Sequence, residues 1–82
     1  MVRAIAMSNP IRSSMLIQWP DEDAAFLVTL PEWEGRVFNP VTHGDTYEEA
    51  ARNGQIALEV LVFVARKHGE PLPEPSLLVL TD

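Results

Sequence analysis

Between Ser13 and Trp19 the residues Met15, Ile17 and Trp19 alternate with Ser14, Leu16 and Gln18. This period of two is the signature of a strand with one buried face. Pro20-Asp21-Glu22-Asp23 supplies a turn, and from Ala24 to Leu30 the side chains of Phe26, Val28 and Leu30 share one face against Ala25, Leu27 and Thr29. The two runs therefore predict an antiparallel hairpin, closed by Pro31. Glu32-Trp33-Glu34-Gly35 reads as a loop. Arg36-Val37-Phe38 and Val41-Thr42 predict a third, broken strand, placed at an edge or bulge because Pro40 cannot donate to a ladder. Upstream, Met1 to Arg12 carries a short apolar patch ended by Ser8-Asn9-Pro10, consistent with an edge strand or a frayed terminus.

A helix follows. Thr46-Tyr47-Glu48-Glu49 fits a capping box, in which the Thr46 hydroxyl accepts from the Glu49 amide and the Glu49 carboxylate reaches back to the Thr46 amide. The helix is expected to run to Lys67 or His68, with basic residues at the negative end of its dipole and Gly69 as the residue after its cap. Gly69 to Pro75 is too rich in proline to be helical, and Leu77 to Leu80 predict a short terminal strand. The expected order is β-β-β-α-β, a small α+β domain over 13–82.

The helix has more apolar surface than one sheet can cover. Ala50, Gly54, Ala57, Leu58, Leu61, Val64 and Ala65 follow the spacing of a face packed on a sheet, the small residues allowing close approach. Ile56, Val60 and Phe63, with Val62 beside them, form a second stripe at least roughly 100° around the axis. A sheet on one side would leave that stripe wet, which points to a homo-oligomer built through Ile56, Val60 and Phe63.

Composition narrows the function. At 82 residues, 46% of them hydrophobic and 22% charged, the chain suits one small globular domain and excludes disorder throughout. It contains no cysteine, so thiolate metal sites, disulfides and a cysteine nucleophile are excluded together. Six basic residues against twelve acidic ones leave a net charge of −6. That opposes direct binding of nucleic acid and favours a basic partner. The longest apolar run, Ile56 to Ala65, is interrupted by Glu59 and is too short for a bilayer, so no membrane partner is expected and the chain reads as cytoplasmic.

Candidate chemistry is sparse. His43-Gly44-Asp45 places an imidazole near a carboxylate, but zinc needs three or four ligands and the other histidine, His68, lies at the far end of the helix. The plainer reading gives Gly44 an unusual φ and Asp45 a role beside the helix N-terminus. Asp21, Glu22 and Asp23 are adjacent in a turn, where successive side chains diverge. Two-metal nuclease chemistry instead needs carboxylates converging from strands. Ser8, Ser13, Ser14 and Ser76 lack a nucleophile elbow, and no phosphate-cradling glycine loop is present. No cofactor and no catalysis are expected. Trp19 reads as core. Trp33, flanked by Glu32 and Glu34, is read either as a lid on the core or as an exposed anchor for a partner.

Val41-Thr42-His43-Gly44-Asp45-Thr46-Tyr47-Glu48-Glu49-Ala50, preceded by Leu30-Pro31-Glu32-Trp33-Glu34-Gly35 and followed by Gly69-Glu70-Pro71-Leu72-Pro73-Glu74-Pro75, resembles the HicB-type antitoxin domain. Ile17-Gln18-Trp19 before an acidic turn fits the same family, and the likeness spans about Met15 to Pro75. It implies a partial ribonuclease-H-like α+β fold, dimers or tetramers, and the masking of a small, basic, mRNA-cleaving toxin of the HicA type. The interval from Gly35 to Gly44, with Asn39-Pro40 inside it, is longer than is usual in that family. DNA-binding autoregulation, which belongs to extra domains of some members, is not carried over. On this reading Glu32, Trp33, Glu34, Asp45 and Glu48 would meet the basic toxin. The alternatives are a metal-dependent nuclease on a ribonuclease-H-like frame, or an oligomeric adaptor without a toxin.

Overall fold

Apolar side chains every second residue drive one face of Leu16–Gln18 and Phe26–Thr29 onto a common core. In the computed structural model, which describes residues 12–75, these are strands β1 and β2. They run antiparallel, with Ile17 opposite Val28. A 3₁₀ turn at Asp21–Asp23 joins them and ends on Ala24, whose φ of 48° lies in the left-handed region. Strand β3 (Thr42–Gly44) pairs with the other edge of β2, setting Phe26 opposite Gly44 and Val28 opposite Thr42. Central position explains why Val28 and Leu30 are wholly buried. The predicted terminal strand Leu77 to Leu80 and the segment Met1 to Ile11 lie outside the described residues.

The third strand is displaced from its predicted place. Arg36-Val37-Phe38 lies outside the sheet, Val37 making only an isolated bridge to Glu34, and pairing extends instead through His43 to Gly44. Carried two residues further, the β2–β3 register would set Leu30 opposite Pro40, which has no N–H to offer. The Asn39 side chain substitutes for the strand: its Oδ1 accepts from the Leu30 amide at 3.0 Å and its Nδ2 donates to the Leu30 carbonyl at 3.3 Å. Both backbone groups are thereby satisfied without a ladder. The Asn39–Pro40 peptide bond is cis.

Helix α1 spans Tyr47–Lys67 and starts where the capping box places it. Thr46 Oγ1 accepts from the Glu49 amide at 3.0 Å, but the Glu49 carboxylate reaches one residue beyond the expected Thr46 amide, taking the Asp45 N–H at 2.6 Å. At the other end the Gly69 amide bonds the Arg66 carbonyl and the Glu70 amide bonds the Ala65 carbonyl, with Gly69 at φ +69°. This is a Schellman ending, and Pro71 prevents continuation. Arg36 Nη2 donates to the Pro71 carbonyl at 2.9 Å, tying the connector to the loop before β3.

The helix rests mainly on β3 and β2 and least on β1. Ala50, Gly54, Leu58, Val62 and Ala65 are its buried residues. They join Val28, Leu30 and Trp33 in one core, with Ile17, Phe26, Val37, Val41 and Leu61 packed against it. Two positions depart from the expected faces. Val62, expected beside the outer stripe, is buried, since it stands one helical row from Leu58; Val64, expected on the sheet side, is 41% exposed, since six residues from Leu58 turn it roughly 120° away. Trp19 departs too: expected in the core, it is 46% exposed, its ring against Phe26.

Gly44 owes its place to contact rather than to backbone conformation, because its φ is outside the left-handed region. A Cβ there would overlap the Ala50 backbone nitrogen and stand 2.7 Å from Ala50 Cα. Only glycine lets β3 touch the first turn of α1.

Candidate functional site

The expected partner-binding set divides between the two ends of the sheet. Glu32, Trp33 and Glu34 follow the C-terminal end of β2, whereas Asp45 and Glu48 follow Gly44, opposite Phe26 at its start. The four steps from Phe26 to Leu30 alone separate these ends by roughly 13 Å.

At the first end the sequence left Trp33 open between lid and anchor, and the structure makes it a lid. Pro31 opens a 3₁₀ turn, Pro31–Trp33, that folds the indole onto the core, where it is 3% exposed. Its Nε1 donates to Ser13 Oγ at 3.0 Å, and the Arg36 guanidinium lies 5.3 Å from the ring centroid. An indole so covered cannot insert into a partner, so the assignment of Trp33 as an exposed anchor is corrected. Its acidic neighbours are engaged internally. Glu32 accepts from the Ser14 amide at 2.9 Å and the Ser14 hydroxyl at 2.8 Å, and Glu34 accepts from Asn39 Nδ2 at 3.2 Å. These two carboxylates brace the start of the hairpin and the loop before β3.

The second end is different in kind. The 3₁₀ turn Asp21–Asp23, the end of β3 and the start of α1 meet there. Asp21, Glu22, Asp23, Asp45 and Glu48 are all exposed. Their carboxylates have no partner among the described residues. Three rings form a row at the same end: Trp19, just before the Asp21–Asp23 turn, meets Phe26 edge-on with centroids 4.8 Å apart, and Phe26 meets Tyr47, the residue before Glu48, at 4.3 Å with a 34° tilt. Phe26 is half-buried, while Trp19 and Tyr47 are 46% and 62% exposed. No local pattern marks this row, since its members come from two strands and a helix. The hairpin register, which continues to set Trp19 opposite Phe26, is the signal that could have found the first pair.

A third surface is the outer side of α1. Ile56, Val60 and Phe63 are 53%, 55% and 65% exposed and stand on the side opposite Leu58 and Ala65, with Lys67 Nζ 6.0 Å from the Phe63 centroid. Elsewhere, Phe38 is 95% exposed beside an open depression of about 350 Å³ lined by residues Glu34 to Phe38.

The two histidines stand on different elements. His43 lies on β3, and its carbonyl accepts from Asn53 Nδ2 at 2.7 Å. His68 caps the opposite end of a 21-residue helix. Among the described residues no three His, Asp or Glu side chains converge as metal ligands, and Asp21, Glu22 and Asp23 are all exposed on their turn. No helix of the described residues is long and apolar enough to cross a membrane. In comparisons with family models, curated proteins and solved structures, the chain matches none.

Proposed function

We propose that this chain is a protein-binding module of the HicB antitoxin type, which assembles with itself and neutralises a small, basic, mRNA-cleaving toxin by masking its active site in the cytoplasm. The observation that carries the reading is the outer side of α1: three large apolar residues, Ile56, Val60 and Phe63, more than half exposed on the solvent side of a fully capped helix. Contiguous apolar surface of this kind on a small domain marks an interface. The net charge of −6 supports a cationic protein rather than nucleic acid as the heterologous partner. The motif order from Ile17 to Pro75 supports the family, and a ribonuclease-H-like relation of the sheet belongs to the same proposal. No catalytic step is assigned to the chain, its part being to bind and occlude.

The test is reconstitution. The chain is mixed with a purified basic ribonuclease of the HicA type encoded beside it, and cleavage of a messenger RNA is followed against antitoxin concentration. Stoichiometric loss of cleavage, with a stable complex by size-exclusion chromatography, is the expected outcome. Persisting cleavage at a tenfold excess would overturn the antitoxin reading. RNA cleavage by the chain alone would overturn the assignment of no catalysis.

A further inference from the structure

We infer that the Trp19–Phe26–Tyr47 row is a docking surface for an arginine-bearing segment of a basic polypeptide. The inference rests on the protein-binding reading above and names both the surface and the chemistry of what it takes. The outer rings of the row are open to solvent, and the half-buried ring of Phe26 forms the floor between them. Aromatic faces carry negative quadrupole density, which attracts a cation lying over them, and the planar guanidinium stacks there better than an ammonium does.

The occupant follows from the surrounding charge. Asp21, Glu22 and Asp23 stand on the turn after Trp19, and Asp45 and Glu48 flank Tyr47. These carboxylates do not converge into a metal-holding group, so the arrangement suits a ligand whose positive charge is spread along a chain. Nucleic-acid bases also stack on exposed rings, but their phosphates would face this acidic border. A second copy would bring equal negative charge against it. An arginine-rich segment satisfies rings and carboxylates together, its guanidinium stacking on Tyr47 or Trp19 while its N–H groups donate to the carboxylates.

The chain contains two tryptophans, one in the row and one in the core, which gives the experiment an internal control. The full-length protein, labelled with ¹⁵N, is titrated with a capped nonapeptide carrying four arginines and separately with its four-lysine counterpart. The expected result is movement of the Trp19 indole N–H resonance while that of Trp33, buried and bonded to Ser13, stays in place. Affinity for the arginine peptide should exceed that for the lysine peptide by about two- to fivefold. Tyr47→Ala should erase that preference and Tyr47→Phe should restore it. The triple change Asp21→Asn, Glu22→Gln, Asp23→Asn should weaken both peptides alike and flatten the salt dependence. Equal affinity for the two peptides, an unmoved Trp19 resonance, or a preference that survives Tyr47→Ala would overturn the inference, as would tighter binding of single-stranded RNA. The two proposals fail separately: a toxin neutralised equally well by the Tyr47→Ala protein removes this surface and leaves the antitoxin reading, whereas peptide binding at Trp19 without neutralisation does the reverse.

Discussion

Gly44→Ala isolates the contact on which the fold turns. The added methyl would overlap the Ala50 nitrogen and lie 2.7 Å from Ala50 Cα and 2.9 Å from the Glu49 carbonyl carbon. All three are backbone atoms of the first turn of α1, so no rotamer change relieves the overlap. Either β3 withdraws from the helix or the helix start shifts. Overpacking of this kind costs about 1–3 kcal/mol. A shifted start also disturbs the Thr46–Glu49 cap, worth about 1 kcal/mol. The expected destabilisation is therefore about 2–4 kcal/mol, out of a total of roughly 4–12 kcal/mol for a chain of this length. Urea unfolding followed by circular dichroism at 222 nm, at matched protein concentration, measures it. Two companions test the cause. Adding Ala50→Gly should give no rescue, because it removes a Cβ and leaves the nitrogen and Cα that the new methyl meets. Gly54→Ala should stay within about 1 kcal/mol of wild type. There the new methyl meets the flexible end of Met15 at 2.5 Å and Val28 Cγ1 at 3.0 Å, against a gain of about 1 kcal/mol in helix propensity. A Gly44→Ala protein with an unchanged midpoint, or one rescued by Ala50→Gly, would refute the steric argument.

Three further outcomes follow from the same geometry. Val60→Glu places a charge in the middle of the exposed stripe and should shift sedimentation equilibrium at micromolar concentration toward a 9.2 kDa monomer without lowering helicity; an unmodified chain already monomeric there would remove the self-association surface. Thr46→Ala should cost about 1 kcal/mol by freeing the Glu49 amide, read as a lowered urea midpoint, and an unaltered midpoint would exclude a contribution from the cap. Ala24→Gly should raise stability by about 0.5 kcal/mol, because a left-handed φ of 48° costs alanine about 1–2 kcal/mol and glycine's looser unfolded chain returns part of that; a fall in melting temperature would contradict it.

Local chemistry was enough to determine the hairpin, the helix and both helix ends. Alternation at Ile17, Phe26, Val28 and Leu30, a Thr46–Glu49 cap and a Gly69–Pro71 stop are properties of residues near one another in the chain, and each corresponds to a formed element. The outer stripe Ile56, Val60 and Phe63 was legible for the same reason, since helical spacing alone assigns a side. What depended on distant partners was not legible. The third strand starts after Pro40 because the Asn39 amide occupies Leu30, a contact across nine residues. Trp33 became a lid through the Pro31–Trp33 turn and Trp19 remained exposed, while the helix settled mainly on β3 and β2, where Gly44 permits close approach. The acidic residues, alike in sequence, were divided by the sheet into braces at one end and, at the end that carries the aromatic row, carboxylates without a partner among the described residues. Charge and spacing assign a residue its chemistry; only packing decides whether that chemistry is used to hold the fold or is left facing a partner.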